Sequence, residues 1–311
     1  MKLAVVIPSW NGCELLHDHL PAVLAACAGY GDAEVVVVDD GSSDGTPDRL
    51  AREFPGVRVV ARPRNGGFGA AANDGVAAAG GEVVVCLNND VRPEPGFLTP
   101  LAEALAGDPD LFAAVPRTLN LRHGGDEART AATFRRGLID VVFPDRSGLA
   151  TPGAPAPILY PCGGAAAYRR DRFLALGGFR RLYHPYYWED VDLGWRARRR
   201  GWGALHVPAA CVHHLGGATI GRHAPAGQVK AVYERNRLLF HWSNLIDPGL
   251  WTRHLGWLPL RVAVATARRR PLARGFRLAR PLWRPAVALR ATERAAARVS
   301  DREILESFRV G

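Results

Sequence analysis

Long apolar runs are missing from this 311-residue chain. No stretch approaches the roughly 18 residues of a membrane-spanning helix, so none is expected. At the N-terminus the apolar run Leu3–Ile7 meets Pro8 after five residues. That is too short for the apolar region of a secretory signal, and the segment reads as a buried first strand. Cysteines number five (Cys13, Cys27, Cys86, Cys162 and Cys211), far apart and without a C-x-x-C. This argues against a disulfide framework or a zinc site and fits inert thiols in a reducing, cytoplasmic compartment. The chain has no internal repeat. Neither G-x-G-x-x-G nor G-x-x-x-x-G-K-[ST] occurs at its glycine-rich loop.

Net charge is also missing from most of the chain. The first 250 residues hold 26 basic and 26 acidic side chains, and the whole excess of +10 falls in Trp251–Gly311, with 14 Arg against 4 acids. A nucleic-acid binder would interleave stacking aromatics with a continuous basic face. A basic tail on a balanced body does not, so no nucleic-acid partner is expected. The tail points to some other anionic partner.

What is present is 48% hydrophobic residues, enough for a sizeable core. In the first third, short apolar runs (Leu3–Ile7, Glu34–Val38, Val57–Ala61, Val83–Leu87) alternate with helix-like segments (Cys13–Ala28, Ser43–Phe54, Ala70–Ala79). Ser43 or Asp44 could cap the second helix. Continuous rather than alternating apolar strands imply a mostly parallel sheet covered on both faces, with ligands beyond the carboxyl ends of its strands. Residues 117–160 read as a long surface loop, with three prolines in Thr151–Pro157. Leu205–Val207 and Cys211–His213 read as short strands. Beyond about Gly221 the chain turns helical and rich in Trp and Arg. Prolines 259, 271, 281 and 285 divide it into short pieces, and Arg290, Arg294, Arg298 and Arg302 recur at helical spacing to form one stripe.

Five segments carry chemistry. VVVVDDGSSDGT (Val35–Thr46) closes a strand with Asp39 and Asp40, acceptors suited to the donors of a base or ribose. RNGGFGAAANDGV (Arg64–Val76) lets backbone approach a ligand just before a helix start. VVVCLNNDV (Val83–Val91) ends in Asp90, an oxygen ligand suited to a divalent cation held partly by phosphates. WEDVDLGWR (Trp188–Arg196) crowds Glu189, Asp190 and Asp192, and neighbouring carboxylates raise each other's proton affinity, as a general base requires. Asp192 and Arg196 stand four apart and can pair on a helix. VHHLGGAT (Val212–Thr219) offers His213 and His214, only one of which can face a site from a regular strand. Singly, each has a bland reading as a cap, a turn or an acidic helix start.

In this order and spacing, from Val5-Val6-Ile7-Pro8-Ser9-Trp10-Asn11 to about Thr219, the segments resemble the family 2 inverting glycosyltransferases, especially the bacterial rhamnosyltransferase-like branch. The resemblance implies a GT-A fold: an α/β catalytic domain over 1–222, with a nucleotide-sugar half at 1–115 and an acceptor half at 116–222. Residues 223–311 would form a basic helical extension. By position, Pro8, Ser9, Asn11, Asp39, Asp40, Asn65, Gly67, Asn89 and Gly164, with Gly163 beside it, would surround the nucleotide sugar. Asp90, followed by His214 with His213 in reserve, would hold Mg²⁺ or Mn²⁺. Asn88 and Asn89 replace acidic positions of the family motif and so predict weak metal affinity before the donor binds. Asp190 would be the base, with Glu189 beside it and Trp188 and Asp192 shaping the acceptor site.

The implied reaction is an inverting transfer of rhamnose or another hexose from a nucleotide diphosphate to a hydroxyl of a glycan or lipid-linked acceptor, in cell-surface polysaccharide synthesis. A catalytically silent, nucleotide-sugar-binding relative is the competing expectation. The tail, with Arg268-Arg269-Arg270, Trp251, Trp257 and Trp283, is expected to touch anionic lipid at the inner face of the membrane or to cap the core.

Overall fold

The computed structural model describes residues 1–122, 124–144, 153–216 and 225–308. Its centre is a nine-stranded sheet. Strands β1 (Leu3–Ser9), β2 (Ala33–Asp39), β3 (Arg58–Ala61) and β4 (Val83–Leu87) run parallel in the order β3-β2-β1-β4. Every residue of β1 and of β4 is buried because both faces are covered. Leu3, Val5 and Ile7 face the core beneath α1 (Cys13–Tyr30) and α4 (Leu98–Gly107). Ala4 and Val6 face the core beneath α3 (Phe68–Ala78). Gly75 makes the second contact close: a Cβ there would stand 2.3 Å from Val6 Cγ1 and 2.8 Å from Val38 Cγ2. The second helix, α2 (Thr46–Glu53), begins later than expected. Gly45 caps it in the left-handed conformation, while Asp44 accepts from the Thr46 and Cys13 amides.

The sheet continues through β5 (Val91–Pro93), β6 (Leu111–Asn120), β9 (Ala156–Pro157), β10 (Ala165–Arg169) and β11 (Gly203–His214) in the order β4-β10-β6-β11-β5, with β9 paired to β11. Strand β10 lies antiparallel between β4 and β6, so segments from both sides of residue 115 interleave in one sheet. The two short strands expected near 205 and 212 are one strand, β11, whose register slips between Val207 and Cys211. The expected long loop at 117–160 is not a loop throughout. It finishes β6 and then forms a hairpin, β7 (Ala131–Arg135) with β8 (Leu138–Val142). Those short strands become buried only against the C-terminal helices, a partner that local periodicity does not reveal. The first two of the Thr151–Pro157 positions lie outside the described residues.

Helices α5 (Arg170–Ala175) and α6 (Glu189–Arg199) precede the tail helices α7 (Ala226–Asn244), α8 (Pro248–Ala267), α9 (Pro271–Ala279), α10 (Trp283–Ala295) and α11 (Asp301–Ser307). A third core is built jointly by Trp188, Trp195, Leu238, Phe240, Trp242 and Leu258. Pro259 does not divide the tail; it stands within α8. The four-arginine stripe does not form either. α10 ends at Ala295, Arg290 stacks on Trp251 at 3.9 Å, Arg294 donates to the Ile246 carbonyl, and Arg302 pairs with Asp247 at 3.0 Å. These arginines serve the tail's own packing. Among the described residues no helix is long and apolar enough to cross a membrane.

Candidate active site

The nucleotide end of the site forms where β1 and β2 finish side by side. Ser9 is in register with Asp39, and Pro8 with Val38. Asp39 is buried; its Oδ2 accepts from the Ser42 amide at 3.2 Å, while its Oδ1 is buried with no protein partner. A buried carboxylate oxygen without a donor is costly, and the N–H of a bound base would satisfy it. Asn11, at φ 48°, ties the loops together: its amide donates to Ser42 Oγ at 2.8 Å and its Oδ1 accepts from the Ser43 amide at 2.9 Å. Asn89 Nδ2 donates to Ser9 Oγ at 2.9 Å.

Asp40 departs from the expected ligand role. Its carboxylate accepts the Gly66 and Gly67 amides at 3.0 and 2.8 Å and is gripped by Arg62, so it shapes the glycine-rich loop. Asn65 Oδ1 also accepts from the Gly67 amide, at 3.1 Å. Gly67, at φ +81°, is required there, because a Cβ would stand 2.8 Å from His184 Nδ1 and 2.9 Å from the Pro185 carbonyl oxygen.

Asp90 follows β4, and His214 ends β11. Their Oδ1 and Nε2 lie 3.4 Å apart, both residues largely buried. The other ring nitrogen, Nδ1, pairs with Glu127 Oε2 at 2.8 Å, and Asn120 Nδ2 donates to Glu127 Oε1 at 2.7 Å. Burial pulls the His214 pKa down, but the Asp90 and Glu127 carboxylates outweigh it and raise the pKa to about 9. Strand alternation puts His213 on the opposite face, where its Nε2 meets Glu94 Oε1 at 2.9 Å. One octahedral Mg²⁺ or Mn²⁺ has neighbouring ligands roughly 3 Å apart at bonds of about 2.1 Å. A carboxylate oxygen and an imidazole nitrogen at 3.4 Å, with a carboxylate steadying the ring from behind, fit such an ion. Residues Gly217–Thr219 of the histidine motif lie outside the described residues.

Glu189 and Asp190 begin α6 after two left-handed residues, Tyr187 at φ 72° and Trp188 at φ 75°. Such backbone is costly for bulky side chains, about 1–3 kcal/mol each. Here it turns the acidic helix start back toward Gly163. Asp190 Oδ2 accepts from the Gly163 amide at 3.2 Å and Oδ1 from the Val191 amide at 2.8 Å. Burial raises the Asp190 pKa, and those hydrogen bonds partly oppose it. Burial, then the neighbouring Asp190 charge, lift Glu189 well above the carboxylate range, and its Oε2 is buried without a partner. The Gly163–Gly164 turn links this pair to the metal-site strand, since the Asn88 amide donates to the Gly164 carbonyl at 2.9 Å.

Two expected acceptor residues are placed elsewhere. Asp192 is wholly buried; it pairs with Arg196 at 2.7 Å and Arg180 at 3.0 Å and accepts from Tyr183 and Asn244. That makes it a structural hub, inaccessible to a substrate. Trp188 is 2% exposed and packs on Phe240 and Tyr233, with ring centroids 5.1 and 5.6 Å away. The aromatic faces left open beside the pair are Tyr187 and Tyr233, each about one-third exposed. Sequence reading missed Glu127, which lay in the supposed loop, and singled out Tyr233 without a role, since its place depends on α7 folding back over α6.

Comparison with known proteins shows the family and the fold. The model of Glycosyl transferase family 2 matches residues 4–176. An N-acetylglucosaminyl-diphospho-decaprenol L-rhamnosyltransferase of Mycobacterium tuberculosis (strain ATCC 25618 / H37Rv) is 30% identical over 272 residues, covering 78% of this chain and 84% of that protein. A pre-mycofactocin glycosyltransferase of the same strain is 30% identical over 185 residues, 58% of this chain and 37% of its own length. Among solved structures, GalNAc-T7 with UDP, GalNAc and Mn²⁺ superposes with a TM-score of 0.62 at 20% identity, over 79% of this chain and 48% of that one. Mannosyltransferase PcManGT from Pyrobaculum calidifontis in complex with GDP-Man and Mn²⁺ gives 0.53 at 20% identity, over 95% and 85%. At that identity the likeness speaks for the GT-A fold.

Proposed function

The chain belongs to glycosyl transferase family 2, rhamnosyltransferase-like, and is a glycosyltransferase; from that premise we propose that it moves rhamnose or another hexose from a nucleotide-diphosphate donor to a hydroxyl of a lipid-linked acceptor, with inversion, in cell-wall polysaccharide synthesis. The observation that carries this reading is the link through Gly163–Gly164. It joins Asp190, whose carboxylate the Gly163 amide holds, to the end of β4 just before Asp90, which in turn lies 3.4 Å from His214 at the end of β11. On this reading a base and a diphosphate-binding group are tied to one short turn.

In the proposed step the open Oδ1 of Asp39 receives the N–H of the base, and Ser9, Asn11 and Asn89 frame the ribose side. Asp40 keeps the Gly66–Gly67 backbone close to the sugar. Asp190 takes the proton of the acceptor hydroxyl as that oxygen attacks the anomeric carbon. Its raised pKa favours this proton uptake, and the Gly163 amide keeps the receiving carboxylate aimed. Glu189 sits beside it as a carboxyl whose proton affinity is raised by burial and then by the Asp190 charge, and this limits repulsion at the moment of transfer. Asp90 and His214 would hold Mg²⁺ or Mn²⁺, which when bound neutralises the departing diphosphate. We place the enzyme's working position in the cytoplasm, at the inner face of the membrane.

The test is thermal stability against UDP, dTDP and GDP and their sugars, each with Mn²⁺, Mg²⁺ or chelator. A ligand at 100 times its Kd adds about 2.7 kcal/mol. A metal-dependent shift for one nucleotide, lost in Asp90→Ala, is expected and would identify the donor. No shift for any of them overturns the assignment of a nucleotide-diphosphate donor.

A further inference from the structure

Beyond the carboxylate pair, α7, α8, the start of α9 and the β7–β8 turn enclose a cavity of about 330 Å³. That lies at the low end of small-molecule sites, which run roughly 300–1,000 Å³. Its wall divides chemically. Arg136, Arg261 and Arg270 supply the cationic part of the lining, and Trp257, Leu260 and Val264 the apolar part. The apolar three follow helical spacing on α8 and are 38%, 56% and 39% exposed, an uncovered stripe that burial inside this chain does not explain.

The arginines are gathered despite their mutual repulsion. Arg261 donates to the Arg136 carbonyl; burial, then the nearby Arg237 charge and that of Arg136, lower its pKa against the opposing pull of Asp140 and Glu234. The single acid in the wall, Glu234, also faces Arg237 at 3.5 Å, so it does not neutralise three guanidinium groups by itself. Next to Glu234 on α7 is Tyr233, whose ring meets Tyr187 and Trp188 at 5.9 and 5.6 Å, directly before Glu189 and Asp190. The cavity is thus one residue along α7 from the aromatic edge of the acceptor side.

Resting on the transferase reading above, we propose that this cavity binds the diphosphate and first isoprenoid units of a polyprenyl-diphosphate-linked acceptor, anchoring the lipid so that its sugar hydroxyl reaches Asp190. Guanidinium groups suit the geminal oxygens of a diphosphate, and the exposed Trp257–Leu260–Val264 stripe suits the hydrocarbon that follows it. A free nucleotide would leave that stripe uncovered, and a purely anionic polymer would gain nothing from it.

The experiment titrates the full chain calorimetrically with farnesyl diphosphate, inorganic diphosphate and farnesol, in chelator so that the metal site takes no diphosphate. Farnesyl diphosphate is expected to bind at least about tenfold more tightly than either fragment. Arg261→Gln with Arg270→Gln, and separately Trp257→Ala, should each weaken it by about tenfold or more. Arg277→Gln, outside the cavity, should leave it unchanged. Circular dichroism would show that these surface changes leave the fold intact.

Equal affinity in wild type and variants, or equal affinity for inorganic diphosphate, would overturn the proposal. So would affinity for phosphatidylglycerol vesicles with none for farnesyl diphosphate, which would make this face a general membrane contact. The nucleotide thermal shift, run in parallel, separates the two readings. Donor binding without farnesyl diphosphate binding sinks the cavity alone, and the reverse sinks the nucleotide-diphosphate donor while the cavity stands.

Discussion

Acid should loosen the C-terminal helices from the catalytic half through one buried pair, His241 and His254. The rings stack 4.9 Å apart at 14° and are fully buried. Each is satisfied only when neutral. His241 Nδ1 donates to the Arg237 carbonyl and its Nε2 accepts from the Ile139 amide, both at 2.6 Å. His254 Nδ1 donates to the Gly137 carbonyl at 2.7 Å and its Nε2 accepts from Trp242 Nε1 at 3.2 Å. A second proton on either ring would face an N–H donor, with Arg237 and Arg261 adding repulsion. Burial therefore pushes His241 well down and takes His254 to about 4.

Between pH 4 and 6.5 the unfolded chain binds the His254 proton and the folded chain does not, so stability present above pH 6.5 is lost as pH falls. For His254 alone the loss reaches about 3 kcal/mol by pH 4, out of the 5–15 kcal/mol typical of a whole protein. His241 adds to it in the same direction. Urea unfolding at stepped pH, wild type against His254→Gln, isolates this from the titrating carboxylates. The wild-type slope should be steeper by up to about 1.4 kcal/mol per pH unit in that window. Parallel slopes would refute the reasoning, whatever the offset between the curves.

Three other outcomes are expected. Asp190→Asn should lower kcat by about 10²–10⁴ in a sugar-transfer assay while nucleotide-dependent thermal shifts persist; activity within a few-fold of wild type would remove Asp190 as the base. Asp39→Ala should raise the Kd for the nucleotide about tenfold or more by calorimetry while costing only about 1 kcal/mol of stability, because its Oδ1 has no protein donor to lose and its Oδ2 takes a single hydrogen bond, from the Ser42 amide. Asp192→Ala should destabilise by about 3–5 kcal/mol in denaturant unfolding, since Arg196 and Arg180 lose their buried partner; a soluble variant with unchanged stability and impaired acceptor binding would instead return Asp192 to the acceptor site.

Much of the catalytic half was legible because its signals are local. Continuous valine runs can only be strands covered on both faces, and Val83–Leu87 is bounded in the structure as it is in the sequence. Carboxylates at strand ends must lie at the rim of a parallel sheet, which is where Asp39 and Asp90 stand. The i,i+4 spacing of Asp192 and Arg196 foretold their ion pair. What the spacing could not state is how deeply that pair lies. A helix start rich in acids looks the same whether it meets solvent or is roofed by Asn244 from α7 and Glu293 from α10.

The same limit governs the remaining corrections. Asp40 and Asp39 are adjacent and chemically equal, yet one is consumed by the Gly66–Gly67 backbone and the other keeps an oxygen free. The choice of His214 over His213 rests on which face of β11 meets Asp90, which is a matter of register. The hairpin at 131–142 depends on the tail folding back onto the body, and the contacts of Arg290 with Trp251 and of Arg294 with Ile246 depend on the tail packing on itself. By itself the sequence determined the alternating elements, the strand-end acids and the basic tail, because each follows from neighbours a few residues apart. The tertiary structure alone decided which of those acids and cations remain available, because burial and pairing are set by partners tens to a hundred residues away.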